Sequence, residues 1–161
     1  DSAHAGHDCQ ISNHIVLAKG SVLGGHAIIE NNVIIGGNAG VHQFVRMGRG
    51  SMISGAAGTA LDVLPWFMVT MLISASSINL IGLRRAGHTP EDINIVRLTH
   101  KLFCRSGLTV VAATEQLREH AGQPMADEYL AFLGKSTRAL CTMRGRKTVT
   151  DDSDLQATDS P

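Results

Sequence analysis

The 161-residue sequence is poor in aromatic side chains: one Trp, one Tyr and four Phe make up 4% of it. Aromatic rings fill much of an ordinary globular core, so an interior built from aliphatic side chains is indicated instead. Cysteine is scarce as well. Cys9, Cys104 and Cys141 are odd in number and stand at no metal-ligand spacing. They read as reduced thiols in a cytoplasmic protein rather than as a disulfide framework. Charge of one sign is absent, since 14 basic and 14 acidic residues cancel. Neither nucleic acid nor an anionic membrane is therefore expected as a partner. No signal peptide is expected. The 21 residues between Asp62 and Arg84 lack charge and reach bilayer length. Thr70, Ser74, Ser76, Ser77, Asn79 and Gly82 dilute the stretch and Pro65 sits near its start, so it reads as the last coil of a repeat and its exit, with no transmembrane segment.

What is present is a repeat of six. Ile11, Leu17, Leu23, Ile29, Ile35, Val41, Met47 and Ile53 are aliphatic and successive members are six residues apart. A sustained short period marks a solenoid, because each unit buries its apolar face only against its neighbours. Six is the hexapeptide signature: one short strand and one corner per hexad, three hexads per triangular coil of 18 residues. Residues 18 apart then lie above one another at the spacing of paired strands, about 4.8 Å. A second column reads His14, Gly20, His26, Asn32, Asn38, Phe44, Gly50 and Ala56; its Gly and Asn content suits corners that need positive φ. The fold class expected is mainly β plus α, a hexapeptide-repeat left-handed parallel β-helix followed by a small C-terminal helical domain.

The divisions expected are coils over 1–65, a terminal coil and exit loop over 66–88, a helical domain over 89–144 and a disordered tail over 145–161. The aliphatic period is lost after Ile53. Thr89-Pro90-Glu91-Asp92 starts a helix, with Thr as N-cap, Pro in the first position and acids in the first turn. Ile93, Val96, His100 and Phe103 continue it until Ser106-Gly107. A second helix over 110–120 would turn Val110, Val111, Ala113, Thr114 and Leu117 to one face. A third opens at Pro124 with Met125, Tyr129, Phe132, Leu133 and Leu140 as its stripe. The repeat is already running at residue 11 with no capping unit before it, as expected for the C-terminal part of a longer protein or an open-ended fragment. Three-fold association is the natural closure for a triangular prism with bare faces.

Five of the eight histidines fall in the first 42 residues. On the 18-residue ruler His7, His26 and His42 stack near one corner, one per coil, outside the inward aliphatic column. His4 lies just along the same face and His14 on another. Solvated corners accommodate His as they do Asn, but stacked imidazoles also suit metal ligation or general base catalysis.

The stretch His4-Ala-Gly-His7-Asp8-Cys9, with Leu23-Gly24-Gly25-His26 and Val41-His42-Gln43-Phe44, resembles the bacterial UDP-N-acetylglucosamine acyltransferases that start lipid A synthesis. The resemblance continues through Gly55, Asp62-Val63, Asn79, Gly82-Leu83-Arg84-Arg85-Ala86-Gly87, Arg105-Ser106-Gly107 and Ser136-Thr137-Arg138. It implies transfer of an (R)-3-hydroxyacyl group from acyl carrier protein to the 3-hydroxyl of UDP-N-acetylglucosamine by a cytoplasmic homotrimer, without a cofactor or metal. By the family's pattern His7 is the general base, Asp8 orients it and the Gly25 N–H stabilises the oxyanion. His4, His26, His42 and Gln43 contact the sugar nucleotide, and Asn79 lies near its nucleotide end. Arg84 and Arg85 bind phosphates or the acidic carrier protein, and Gly55 lies where acyl-chain length is measured. Thr70–Ser77 departs from the family's Gly-Asn-x-Ala stretch, and Ile81 replaces a position that is acidic in some members.

Two other readings stand beside this one. A non-catalytic or truncated trimeric scaffold would fold and associate without turnover. A β-helical carbonic anhydrase would ligate zinc through His7 and His42, but Met47 stands where its third histidine is expected.

Overall fold

The computed structural model describes residues 2–71 and 74–142. The 145–161 tail and part of the Thr70–Ser77 segment lie outside the described residues. Ten two-residue strands come first: β1 (His4–Ala5), β2 (Gln10–Ile11), β3 (Val16–Leu17), β4 (Val22–Leu23), β5 (Ile28–Ile29), β6 (Ile34–Ile35), β7 (Gly40–Val41), β8 (Arg46–Met47), β9 (Met52–Ile53) and β10 (Gly58–Thr59). Two longer strands, β11 (Phe67–Met71) and β12 (Ser74–Ile78), precede helices α1 (Leu80–Arg85), α2 (Pro90–His100), α3 (Val110–Arg118) and α4 (Pro124–Lys135). A wider π-helical turn, Lys101–Arg105, extends α2.

The strands form the three faces of a parallel β-helix: β1-β4-β7-β10, β2-β5-β8 and β12-β11-β9-β6-β3. Register follows the 18-residue ruler, with Leu23 opposite Val41 and Ile35 opposite Ile53. The timekeeping residues point inward. Ile29, Ile35, Met47 and Ile53 are fully buried, whereas Ile11 in the first coil is 42% exposed. Burying each such side chain contributes about 1.5–3 kcal/mol.

The corners behave as their column suggested. Asp8, His14, His26, Asn32, Asn38, Phe44 and Ala56 all hold φ between 55° and 61°, and Gly20 and Gly50 join them. Left-handed backbone is strained for most L-residues, and Asp and Asn relieve it with local side-chain hydrogen bonds; Phe44 and Ala56 are held there by the coil itself. A second set of glycines serves close packing. A Cβ on Gly24 would lie 2.4 Å from the Gln43 nitrogen, on Gly36 2.5 Å from the Gly55 nitrogen, and on Gly48 2.5 Å from the Pro65 nitrogen.

The repeat outlasts Ile53. Thr59, six residues on, points inward at 5% exposure in β10. Its hydroxyl donates to the Leu61 carbonyl and accepts from the Leu61 N–H, which satisfies a polar group in an aliphatic column. The next turn is two residues shorter, since Met47 pairs with Val63 and Ile53 with Val69. The aliphatic period therefore ends in the sequence before the coil ends in space. The uncharged 63–83 run contributes the last parallel strand, its antiparallel partner β12 and α1. The exit loop expected there includes this short helix. Among the described residues, no helix is long and apolar enough to cross a membrane.

The helices pack on the last coils. Thr89 caps α2 through a capping box with Asp92, and Pro90 opens it; Thr109 caps α3. In α3 only Ala113 and Leu117 are buried, while Val110 and Val111 are 47% and 72% exposed. Leu140 lies beyond α4 and bridges Asp62. Asp62 fastens the helical segment to the coil: its carboxylate accepts from the Arg46 N–H and the Ser136 hydroxyl, and its backbone bonds Ala139 and Cys141. Arg49 forks onto Glu128 of α4 at 2.8 and 2.7 Å, and the buried Tyr129 hydroxyl donates to the Pro65 carbonyl at 2.8 Å.

Candidate active site

The corner between β1 and β2 carries His7 and Asp8. Because Asp8 holds a left-handed φ of 57°, its carboxylate turns back on the preceding residue, and Asp8 Oδ2 lies 2.8 Å from His7 Nδ1. That hydrogen bond holds the Asp8 carboxyl below its ordinary value, with the charges of His26 and His7 acting in the same direction. An ionised neighbour on Nδ1 favours the tautomer with its proton there, which leaves Nε2 as an acceptor.

The next coil completes the cluster. The His26 N–H donates to the His7 carbonyl at 2.9 Å, so backbone fixes the two residues relative to each other. Their rings meet edge to face, with centroids 4.8 Å apart, and His26 stacks on Phe44 at 4.7 Å. His26 Nε2 is 3.9 Å from Asp8 Oδ2. Gly25 lies beneath the other edge of His7: a Cβ there would be 2.9 Å from His7 Nε2, 3.2 Å from Cε1 and 3.3 Å from Cδ2. Unlike Gly24, Gly25 would bring its Cβ onto the imidazole and not onto a neighbouring backbone. Among the described residues its N–H has no hydrogen-bond partner.

From this corner a groove of about 570 Å³ runs along the face formed by β4, β7 and β10. Val22, Gly25, Gly40, His42, Gln43 and Gly58 are among its lining. A Cβ on Gly40 would meet nothing within 4 Å, so the missing side chain is part of what leaves the groove open. His4 continues the outward column of Val22 and Gly40. His42 Nδ1 lies 3.2 Å from the Gln43 carbonyl. Gly55 is at the corner between β9 and β10, where a Cβ would approach only Gly37, its carbonyl oxygen at 3.4 Å.

The remaining expected site residues lie elsewhere in the chain. The Asn79 side chain is buried as the cap of α1, accepting from the Gly82 N–H at 2.8 Å and donating to the Gly50 carbonyl at 2.9 Å. Arg84 is exposed. Arg85 lines a separate groove of about 1000 Å³ on the β3-β6-β9-β11 face, with His14, Asn32, Met52, Trp66 and Ile81. One chain thus brings His7, Asp8, Gly25 and His26 together, with His4, His42 and Gln43 along the adjoining face. Asn79 and Arg85 belong to the other groove. The only His/Cys/Asp/Glu group close enough to share a metal among the described residues is His7, Asp8 and His26. The pairing of His7 with His42 that a carbonic anhydrase would need is not made. Phe44 is the member that sequence reasoning missed; its signal was an aromatic 18 residues after His26.

These features define a hexapeptide-repeat β-helix with a helical segment on its last coils and an imidazole–carboxylate pair at one corner. Residues 62–141 match the family described as UDP N-acetylglucosamine O-acyltransferase, domain 2. An acyl-(acyl-carrier-protein)–UDP-N-acetylglucosamine O-acyltransferase of Anaeromyxobacter sp. (strain K) is 39% identical over 141 residues, covering 86% of this chain and 55% of the relative. The UDP-N-acetylglucosamine acyltransferase of Francisella novicida superposes with a TM-score of 0.84 at 32% identity, over 98% of this chain and 58% of that one. The Campylobacter jejuni enzyme gives 0.80 at 28% identity, over 88% and 56%. The chain belongs to the UDP-N-acetylglucosamine O-acyltransferase family and spans about half the length of the curated relatives it matches.

Proposed function

We propose that this chain carries the base and acyl-transfer corner of an enzyme that moves an (R)-3-hydroxyacyl group from acyl carrier protein to the 3-hydroxyl of UDP-N-acetylglucosamine, the first step of lipid A synthesis. The observation that carries the reading is the His7–Asp8 pair with Nε2 turned to Gly25. A sugar hydroxyl is too weak an acid to ionise near neutral pH, so its proton leaves as the oxygen attacks. His7 Nε2 takes that proton while the hydroxyl oxygen bonds to the thioester carbonyl carbon. Asp8 orients the ring and stabilises the imidazolium, as the carboxylate does in other His–Asp pairs. The partnerless Gly25 N–H serves the oxyanion; such a donor contributes roughly 3–4 kcal/mol. The intermediate then expels the carrier's thiolate, which takes the proton back from His7.

In this reading His26, His42, Gln43 and His4 hold the sugar along the groove. Gly55 leaves room for the distal acyl chain, and Asn79, Arg84 and Arg85 act on the nucleotide phosphates or the acidic carrier. The separation of Arg85 from His7 on different grooves supports association as a homotrimer, in which one copy's Arg85 groove meets another's His7 corner. Val16, Val22 and Phe44 are each about half exposed, which suits that association. We assign the reaction to the cytoplasm, consistent with three cysteines that form no disulfide. The test supplies 3-hydroxymyristoyl carrier protein and UDP-N-acetylglucosamine to the chain and to its His7→Ala variant. Turnover in the wild type and its loss in the variant are expected. Unchanged turnover in the variant removes His7 as base, and a folded trimer with neither turnover nor affinity for the sugar nucleotide establishes the scaffold reading.

A further inference from the structure

We infer that the His7–Asp8–His26 corner is also an inhibitory binding site for a divalent transition-metal ion, zinc above all. The inhibition rests on the proposed role of His7 as base; the binding does not. Two imidazoles and a carboxylate, with remaining positions open to water, are a common zinc donor set. One donor atom from each residue lies within 4.8 Å of the others. At bond lengths of about 2.0–2.2 Å, tetrahedral ligand atoms sit roughly 3.3–3.5 Å apart. Asp8 Oδ2 is 2.8 Å from His7 Nδ1 and 3.9 Å from His26 Nε2, one shorter and one longer than that spacing. A small rotation of the carboxylate brings both to it.

The corner is held from several sides. The His26 N–H bonds the His7 carbonyl, and Phe44 stacks flat on His26. The side chains remain open to solvent, with His7, Asp8 and His26 76%, 68% and 41% exposed, so an ion reaches them without any opening of the fold.

The consequence follows from which nitrogen is used. His7 Nδ1 faces Asp8 and is the atom that would take the ion, while Nε2 faces Gly25. A metal on Nδ1 of a neutral imidazole leaves the ring proton on Nε2. His7 would then present an N–H donor where the reaction needs an acceptor, and the Asp8 carboxylate that orients it would be occupied as well. Metal binding and base catalysis therefore exclude each other at this corner.

The experiment titrates zinc chloride into chelator-stripped protein by calorimetry, comparing wild type with Asp8→Asn, His26→Asn and His14→Asn. Asparagine tolerates the left-handed backbone at all three positions, and circular dichroism verifies the fold. One saturable site per chain is expected, weakened at least about tenfold by Asp8→Asn or His26→Asn, because even loss of a ligand's hydrogen-bonding partner costs about 10–100-fold in affinity. His14→Asn should leave it unchanged. No saturable binding, or binding indifferent to both ligand substitutions, overturns the site. Turnover should fall along the wild-type binding curve and return on adding chelator; full turnover with zinc bound overturns the inhibition. If the metal-free chain shows no turnover, the acyltransferase reading fails while the isotherms still decide the site.

Discussion

Replacing Gly25 by alanine separates the demands of the fold from those of the site. The added Cβ would lie 2.9 Å from His7 Nε2 and 3.2 Å from Cε1. Carbon atoms pack at about 3.5–4.0 Å, so the exposed imidazole would retreat by roughly 0.5–1 Å. Gly25 is not among the residues with positive φ, and alanine accepts its backbone. Restricting the unfolded chain should leave stability unchanged or raise it by about 0.4–1 kcal/mol. Displacement of a catalytic group by about 1 Å costs on the order of 10²-fold in rate, or about 2.7 kcal/mol of barrier. The assay measures kcat with 3-hydroxymyristoyl carrier protein alongside thermal unfolding of the same preparation. A variant that melts normally but turns over about 10²-fold more slowly is expected. Wild-type turnover would refute the placement of the base, and a parallel loss of fold and activity would show that this glycine serves packing.

Gly36→Ala should do the reverse: its Cβ would sit 2.5 Å from the Gly55 nitrogen and 2.8 Å from the Ile53 carbonyl oxygen, backbone that cannot swing aside. A loss of about 1–3 kcal/mol in denaturant unfolding is expected, as for overpacked cores. Tyr129→Phe strands the Pro65 carbonyl that its hydroxyl bonds at 2.8 Å, and urea titration should show a loss of about 1–3 kcal/mol. Burial pushes the Cys141 thiol from 9.0 up to about 11. Below pH 9 the thiol is protonated folded or unfolded and has no effect. From pH 9 to about 11 the unfolded chain sheds the proton first, so stability should fall by about 1.4 kcal/mol per pH unit from this group. Cys141→Ala should remove that slope. Gly55→Met should shift preference toward shorter acyl donors, measured with carrier proteins of graded chain length.

The coil architecture was legible because a solenoid is nearly one-dimensional. Each side chain's surroundings are set by residues 18 away, so Ile29, Ile35 and Ile53 announce their burial and Asn32 and Asn38 their corners. The same ruler put His7, His26 and His42 at one corner from spacing alone. The ruler failed where the chain stopped keeping time. Thr59 hides in the aliphatic column because its hydroxyl is satisfied within its own turn, and the two-residue shortening that follows leaves no mark in composition. Val110 and Val111 are apolar yet exposed, since only contact with α4 and the π-helical turn decides which face of α3 is buried.

Sequence alone determined the repeat, the stack of polar corners and the helix starts at Thr89 and Pro90, because these depend on neighbours at fixed separation. Only the tertiary structure could separate the glycines. Gly24 and Gly25 are adjacent and look equivalent in the sequence, yet one is required by the backbone of the next coil and the other by the imidazole of the coil before. It also divided the expected site, leaving His7 on one groove and Arg85 on another, because they belong to different sides of the prism. That division depends on how many residues close each coil, a geometry no single residue carries.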